Sequence, residues 1–199
     1  MKLYYSPGAC SLSVNIALRE ADLKFDMVKV DLKTKETTEG HYLDVNPNGY
    51  VPALKLNDNT LLTEANVILR WIADQSPEKN LFPKPEEPNY YQALQMLSFV
   101  ATEMHKGFGS LFHAYRFNEE GIKSIHSQLQ SRLTYVNSIF EKQKFLLGDT
   151  LSIADIYLFN ILRWAPAIKV DLTSHTKILG FIEAMRGLDS AREALRSES

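Results

Sequence analysis

At 199 residues the chain has the length of one large domain or two small ones, and 45% hydrophobic with 23% charged residues is an ordinary globular composition. Lysine and arginine number 22 against 24 acidic residues, so a net charge of -2 offers no basic field to hold a nucleic-acid backbone or an anionic lipid surface. The apolar runs fall short of the ~20 residues that span a bilayer, and Met1-Lys2-Leu3-Tyr4-Tyr5 lacks the apolar stretch of a secretory signal, so a cytoplasmic protein with no nucleic-acid or membrane partner is expected.

In chain order, Lys2 to Tyr5 reads as a strand, followed by a helix in which Val14, Ala17, Leu18 and Ala21 fall at i, i+3, i+4, i+7. Asp26 to Leu32 reads as a second strand, then comes an irregular or helical stretch. Short strands follow at Ala53 to Leu56 and Thr60 to Leu62, then a helix carrying Ala65, Ile68, Leu69 and Ile72 on one face. The order is βαβαββα, an α/β domain over 1–76. Four of the eight prolines (Pro77, Pro83, Pro85, Pro88) then fall among charged residues, which predicts a linker over 77–88. Beyond it, 89–199 shows only helical spacing: Leu94, Leu97, Ala101 and Met104 make one stripe, and Ile122, Ile125, Leu129, Leu133, Val136 and Phe140 a longer one. In Leu151-Ser152-Ile153-Ala154-Asp155-Ile156, Ser152 caps a helix and Asp155, three residues on, reaches back, while Leu151 and Ile156 stand at hydrophobic-staple positions.

The chemistry concentrates where the first strand meets the first helix. Cys10, the only cysteine, can form neither an internal disulfide nor a cysteine-based zinc site, and the five histidines show no metal-ligand spacing, so no metal is expected. In Tyr5-Ser6-Pro7-Gly8-Ala9-Cys10-Ser11-Leu12-Ser13 that thiol stands at or beside a helix N-terminus, where unpaired N-H groups and the helix dipole favour an anion. The placement predicts a lowered thiol pKa, or donors that serve the sulfur of a bound thiol ligand; an inert buried cysteine is the plain alternative. Val51-Pro52, ahead of a strand, is either cis, presenting the backbone of Val51 to an extended peptide-like ligand, or a tight trans turn. Glu64 complements the dipole of the helix that follows. Together these are the parts of a thioredoxin-type ligand groove.

The segments Lys2 to Ser13, Asn46 to Pro52, Leu62-Thr63-Glu64, Glu103-Met104-His105-Lys106-Gly107 and the Ser152 to Asp155 box, in this order around a proline-rich linker, resemble a glutathione S-transferase of the bacterial beta class. The resemblance implies a thioredoxin-like glutathione-binding domain, an all-helical domain with an electrophile pocket, a homodimer, and a detoxifying transferase that needs no cofactor beyond glutathione as co-substrate. It makes Cys10 the residue that contacts or reversibly bonds the glutathione sulfur, Lys35 the partner of the glycyl carboxylate, and Val51 the backbone partner of the cysteinyl unit ahead of a cis Pro52. Glu64 and Ala65 would hold the γ-glutamyl end. His105 and Lys106 would line the site near the sulfur, Glu103 would reach the ligand of the other subunit, and Phe108, Phe112 and Trp164 would wall the pocket for small hydrophobic electrophiles. Ala65 stands where the family usually carries Ser or Gly, which leaves only a backbone N-H for the γ-glutamyl carboxylate; Ser98 stands where some relatives carry Asn. Cys10-Ser11-Leu12-Ser13 also reads as a monothiol C-x-x-S motif for glutathione-dependent thiol-disulfide exchange. A non-catalytic ligand-binding or protein-interaction member of the same fold is the alternative.

Overall fold

Lys2–Tyr5 (β1) is a strand with little polar face, since Leu3, Tyr4 and Tyr5 are all buried, and such a strand must lie inside a sheet. The structure, a computed structural model describing residues 1–199, places it there. Asp26–Lys29 (β2) pairs with it in parallel, which requires the crossover helix Ser11–Glu20 (α1). Ala53–Lys55 (β5) takes the other edge antiparallel, with Leu3 opposite Leu54, and Leu61–Thr63 (β6) pairs with β5. The sheet order is β2-β1-β5-β6. The helix Ala65–Gln75 (α2) buries Ala65, Ile68, Leu69 and Ile72, the face its spacing predicts.

Between β2 and β5 the expected irregular or helical stretch contains no α-helix. Asp31 accepts from the N-H groups of Lys33 (2.8 Å) and Thr34 (3.1 Å), a turn that stops the strand short of Leu32. Lys35 and Gly40 then adopt positive φ (63° and 123°) around a two-strand hairpin, Glu36–Thr37 (β3) and Gly40–His41 (β4), followed by a single 3-10 turn at Tyr42–Asp44. Side-chain turn chemistry wins here over helical spacing.

Two changes to the expected domain division follow from packing. Pro77–Lys79 forms a 3-10 turn, and Leu81 and Phe82 are buried, with Arg70 lying over the Phe82 ring, so chain expected as linker belongs to the first unit up to Phe82. The last helix, Asp189–Ser197 (α8), also belongs to that unit and not to the helical one. Polar contacts with α1 hold it: Arg19 pairs with Glu193 (3.0 Å), Ser190 bonds Glu20, and the fully buried Asn15 donates to Glu198 (3.2 Å).

The second unit, Pro83–Gly187, is helical as expected. Tyr90–Phe99 (α3) runs through a π-helical turn at Val100–His105 into Lys106–Leu111 (α4). Glu119–Phe140 (α5) buries Leu129, Leu133, Val136 and Phe140, whereas Ile122 and Ile125 remain partly exposed. Ile153–Leu162 (α6) is buried at every position, the mark of a helix at the centre of a core. The Ser152–Asp155 capping box starts it with both reciprocal bonds present. Thr176–Arg186 (α7) stacks Phe181 on Phe140 at 4.5 Å.

Candidate functional site

In the first unit the site begins with a tight turn. Pro7 and Gly8 occupy its centre, Gly8 at φ 72°, and Ala9 closes it by donating to the Ser6 carbonyl (3.0 Å), a type II arrangement in which glycine supplies the left-handed residue. Cys10 is the residue flanking the start of α1. Its side chain caps nothing; its Sγ-H donates instead to the Val51 carbonyl at 3.2 Å. Ser13 donates to the Cys10 carbonyl (2.6 Å) and Ser11 to the Ser6 carbonyl (3.2 Å), and both serines are fully buried.

This environment corrects the expected lowered thiol pKa. Burial pushes Cys10 up to about 12, outweighing the backbone N-H groups of Cys10 and Ser11 that favour the anion, and the nearby Glu64 charge adds to the rise. The thiol is a proton-bearing donor.

The peptide bond Val51-Pro52 is cis. The preceding loop is held by Tyr42, whose hydroxyl donates to the Tyr50 carbonyl (2.7 Å), and by Asn46, whose amide donates to the same oxygen (2.9 Å). Lys35 reaches this loop too, its Nζ donating to the Gly49 carbonyl at 2.8 Å. Lys35, Val51, Pro52 and Cys10 are thus tied together through adjacent bonds. Glu64 is exposed and carries φ 65°, an unusual conformation for a residue that is neither Gly nor Asn, directly ahead of α2, whose first residue is Ala65. With an alanine side chain there, that helix end offers backbone N-H groups only.

In the second unit the π-helical turn carries Glu103 and His105, and such turns often occur at functional positions. Two nitrogens of Arg132, Nε and Nη2, donate to Glu103 Oε2 at 2.9 and 2.8 Å. Glu103, Lys106 and Arg132 line one groove of about 240 Å³ between α4 and α5. Gly107 sits where those helices meet: a Cβ there would approach Leu129 Cδ2 to 2.6 Å. His105 packs its ring against Trp164 (5.2 Å between centroids), and Trp164 meets Phe112 edge to face (5.5 Å). Burial, aided by the Lys106 charge, lowers the His105 pKa to about 4, so the ring is neutral at neutral pH. Phe112 is 47% exposed and Trp164 partly so. Phe108 is 0% exposed, and its expected place in the pocket wall is corrected: it faces the core of the helical unit.

Three residues that sequence reasoning did not single out stand beside these. Arg132 orients Glu103; Tyr157 bonds His105; Glu198 accepts from the Gly8 N-H (3.1 Å) and so ties α8 to the turn carrying Cys10. Only Tyr157 had a nearby signal, its place two residues after the capping-box Asp155.

Comparison with known proteins matches residues 8–75 to the glutathione S-transferase N-terminal domain and residues 99–189 to the glutathione S-transferase C-terminal domain. Escherichia coli glutathione S-transferase GstA is 41% identical over 100% of this chain and 98% of its own. Among solved structures, the ternary complex of BphK, a bacterial glutathione S-transferase, superposes with a TM-score of 0.95 at 45% identity, covering 100% of this chain and 99% of that one. A sphingomonad glutathione S-transferase complexed with glutathione gives a TM-score of 0.94 at 36% identity, with 100% and 98% covered.

Proposed function

This chain belongs to the glutathione S-transferase family, and we propose that its residues divide the work of a glutathione transferase as follows. Reduced glutathione, the co-substrate, lies extended on the thioredoxin-like unit. Val51 pairs its backbone with the cysteinyl residue, Lys35 neutralises the glycyl carboxylate, and Glu64 with the Ala65 N-H holds the γ-glutamyl end. His105 and Lys106 act on the sulfur, and Glu103 serves the ligand of the partner subunit in a homodimer. Phe112 and Trp164 receive a small hydrophobic electrophile.

The observation that carries this reading is the protonated Cys10 thiol beside the Val51 carbonyl. A thiol with a pKa near 12 has only about one part in 10⁵ as thiolate at pH 7 and is a poor nucleophile. As a hydrogen-bond donor it is well suited to stabilise an anion, and the anion in this reaction is the sulfur of glutathione. Glutathione releases its thiol proton to solvent water, and rate comes from holding the resulting thiolate, desolvated and oriented, against the electrophilic carbon, from which the displaced group departs as an anion. Lys35, already directed into the loop before Pro52, supports the same placement of an extended anionic peptide.

A second reading, thiol-disulfide exchange, is favoured by one fact, that the only thiol stands at a helix start. In it the Cys10 sulfur attacks a glutathione mixed disulfide and expels the substrate thiol. A second glutathione thiolate then resolves the Cys10 disulfide, releasing oxidised glutathione and restoring Cys10.

Cys10→Ala separates the two. The variant is expected to stay bound to immobilised glutathione and keep a substantial part of conjugation toward a chlorodinitrobenzene, while reduction of a mixed disulfide is abolished. Conjugation falling to the uncatalysed rate with glutathione still bound would overturn this division of roles, and conjugation left unchanged would overturn the donor role. The dimer is tested by light scattering, which should give twice the chain mass of 22.7 kDa.

A further inference from the structure

The contact that stands out in the helical unit is between His105 Nδ1 and the Tyr157 hydroxyl, 2.5 Å apart. Tyr157 lies on α6, is 2% exposed, and meets the imidazole edge to face with ring centroids 5.6 Å apart. The capping box two residues earlier fixes the start of that helix, so the phenol is presented from a capped helix that is buried at every position. Trp164 also packs against the imidazole, with ring centroids 5.2 Å apart.

Which group donates follows from acidity. A phenol, with a pKa near 10, is a far stronger acid than a neutral imidazole N-H, and the unprotonated imidazole nitrogen is a far stronger base than a phenol oxygen. A contact as short as 2.5 Å belongs to the favourable direction, O-H to N. That leaves the single proton of the neutral ring on Nε2.

We propose that Tyr157 is a positioning residue that locks His105 as the Nε2-H tautomer, so that the ring acts on the substrate as a fixed hydrogen-bond donor and not as a proton acceptor. No proton is transferred: it stays on Nε2 throughout. The neutral state of His105 agrees with this, because a neutral ring fixed in this way can donate to a sulfur anion without first being charged. This inference rests on the reading of His105 as a residue acting on the glutathione sulfur, but its first test needs no glutathione.

The test is the ring-nitrogen spectrum of ¹⁵N-labelled protein at neutral pH, with His105 assigned by its loss in His105→Gln. The wild type should show His105 as one tautomer, protonated at Nε2, and Tyr157→Phe, which keeps the ring and loses only the hydroxyl, should show a mixture. In conjugation, Tyr157→Phe should lower kcat about fivefold, the worth of one ordinary hydrogen bond, with KM for glutathione nearly unchanged. His105→Gln, whose amide N-H can stand in for Nε2-H, should keep more activity than His105→Ala and should lose nothing further when Tyr157→Phe is added. A wild-type ring protonated at Nδ1 would overturn the proposal even if Tyr157→Phe failed to fold, as would an unchanged tautomer in Tyr157→Phe. A protein that showed the expected tautomer but neither bound nor conjugated glutathione would instead overturn the assignment of His105 to the sulfur.

Discussion

Replacing Asp155 by alanine should cost far more than an ordinary helix cap. The carboxylate is 0% exposed and receives three donors: the Leu146 N-H at 2.7 Å, the Ser152 N-H at 2.9 Å and the Ser152 hydroxyl at 2.5 Å. Losing a cap alone costs about 1 kcal/mol. Here two buried backbone N-H groups also lose their acceptor, at roughly 1–3 kcal/mol each before the site relaxes. A net loss of about 2–4 kcal/mol is expected, which in a chain of this size lowers the unfolding midpoint by roughly 5–15 °C. Ser152→Ala removes one hydroxyl and leaves the Leu146 anchor intact, so about 1 kcal/mol is expected. Burial raises the Asp155 carboxyl from 3.8 to about 6, so the folded state binds its proton more tightly than the unfolded state. Stability from this group is therefore complete below pH 3.8 and declines as pH rises toward 6, by at most about 3 kcal/mol. The isosteric Asp155→Asn lacks this titration, and the wild type should gain on it as pH falls through that window. Thermal unfolding followed by circular dichroism at several pH values measures both effects. A midpoint for Asp155→Ala within about 2 °C of wild type, or equal losses for Asp155→Ala and Ser152→Ala, would refute the reasoning.

Two further outcomes follow from the first unit. Cys10 should be alkylated by iodoacetamide much more slowly in the folded protein than in denaturant, with a rate still climbing above pH 8.5; a plateau below that pH would show a thiolate-stabilising site instead. Glu198→Ala should lower the urea midpoint, since the Gly8 N-H and the Asn15 amide lose a buried acceptor at about 1–3 kcal/mol, and it should speed proteolysis within α8; an unchanged midpoint would mean that the contact carries no stability.

What could be read from the sequence was what local chemistry decides. The cap at Ser152 and Asp155 needs only residues within one turn, and the faces of α1 and α2 need only spacing. Features resting on distant contacts stayed hidden. Glu198 bonds Gly8 across 190 positions of chain, and Arg132 bonds Glu103 across 29, so no local pattern could place α8 with the first unit or show which cation orients that carboxylate. Phe108 illustrates the same gap. An aromatic residue at helical spacing serves a core or a pocket equally well, and only its burial decides.

Cys10 shows how two correct local statements can give the wrong sign. The helix start does supply N-H groups that favour a thiolate, those of Cys10 and Ser11, but a helix end stabilises an adjacent charge by only about 0.3–2 kcal/mol. Against that stands desolvation, which for a closely packed group shifts a pKa by up to 3–5 units, or roughly 4–7 kcal/mol. The Val51 carbonyl works in the same direction as burial, because an oxygen acceptor 3.2 Å from the sulfur welcomes a thiol and repels a thiolate. The same carbonyl belongs to the backbone proposed to pair with the cysteinyl residue of glutathione. In the proposed complex that residue's N-H would take the Val51 oxygen and leave the Cys10 proton to be donated to the glutathione sulfur. A helix-end cysteine in this setting is thus more useful with its proton than without it.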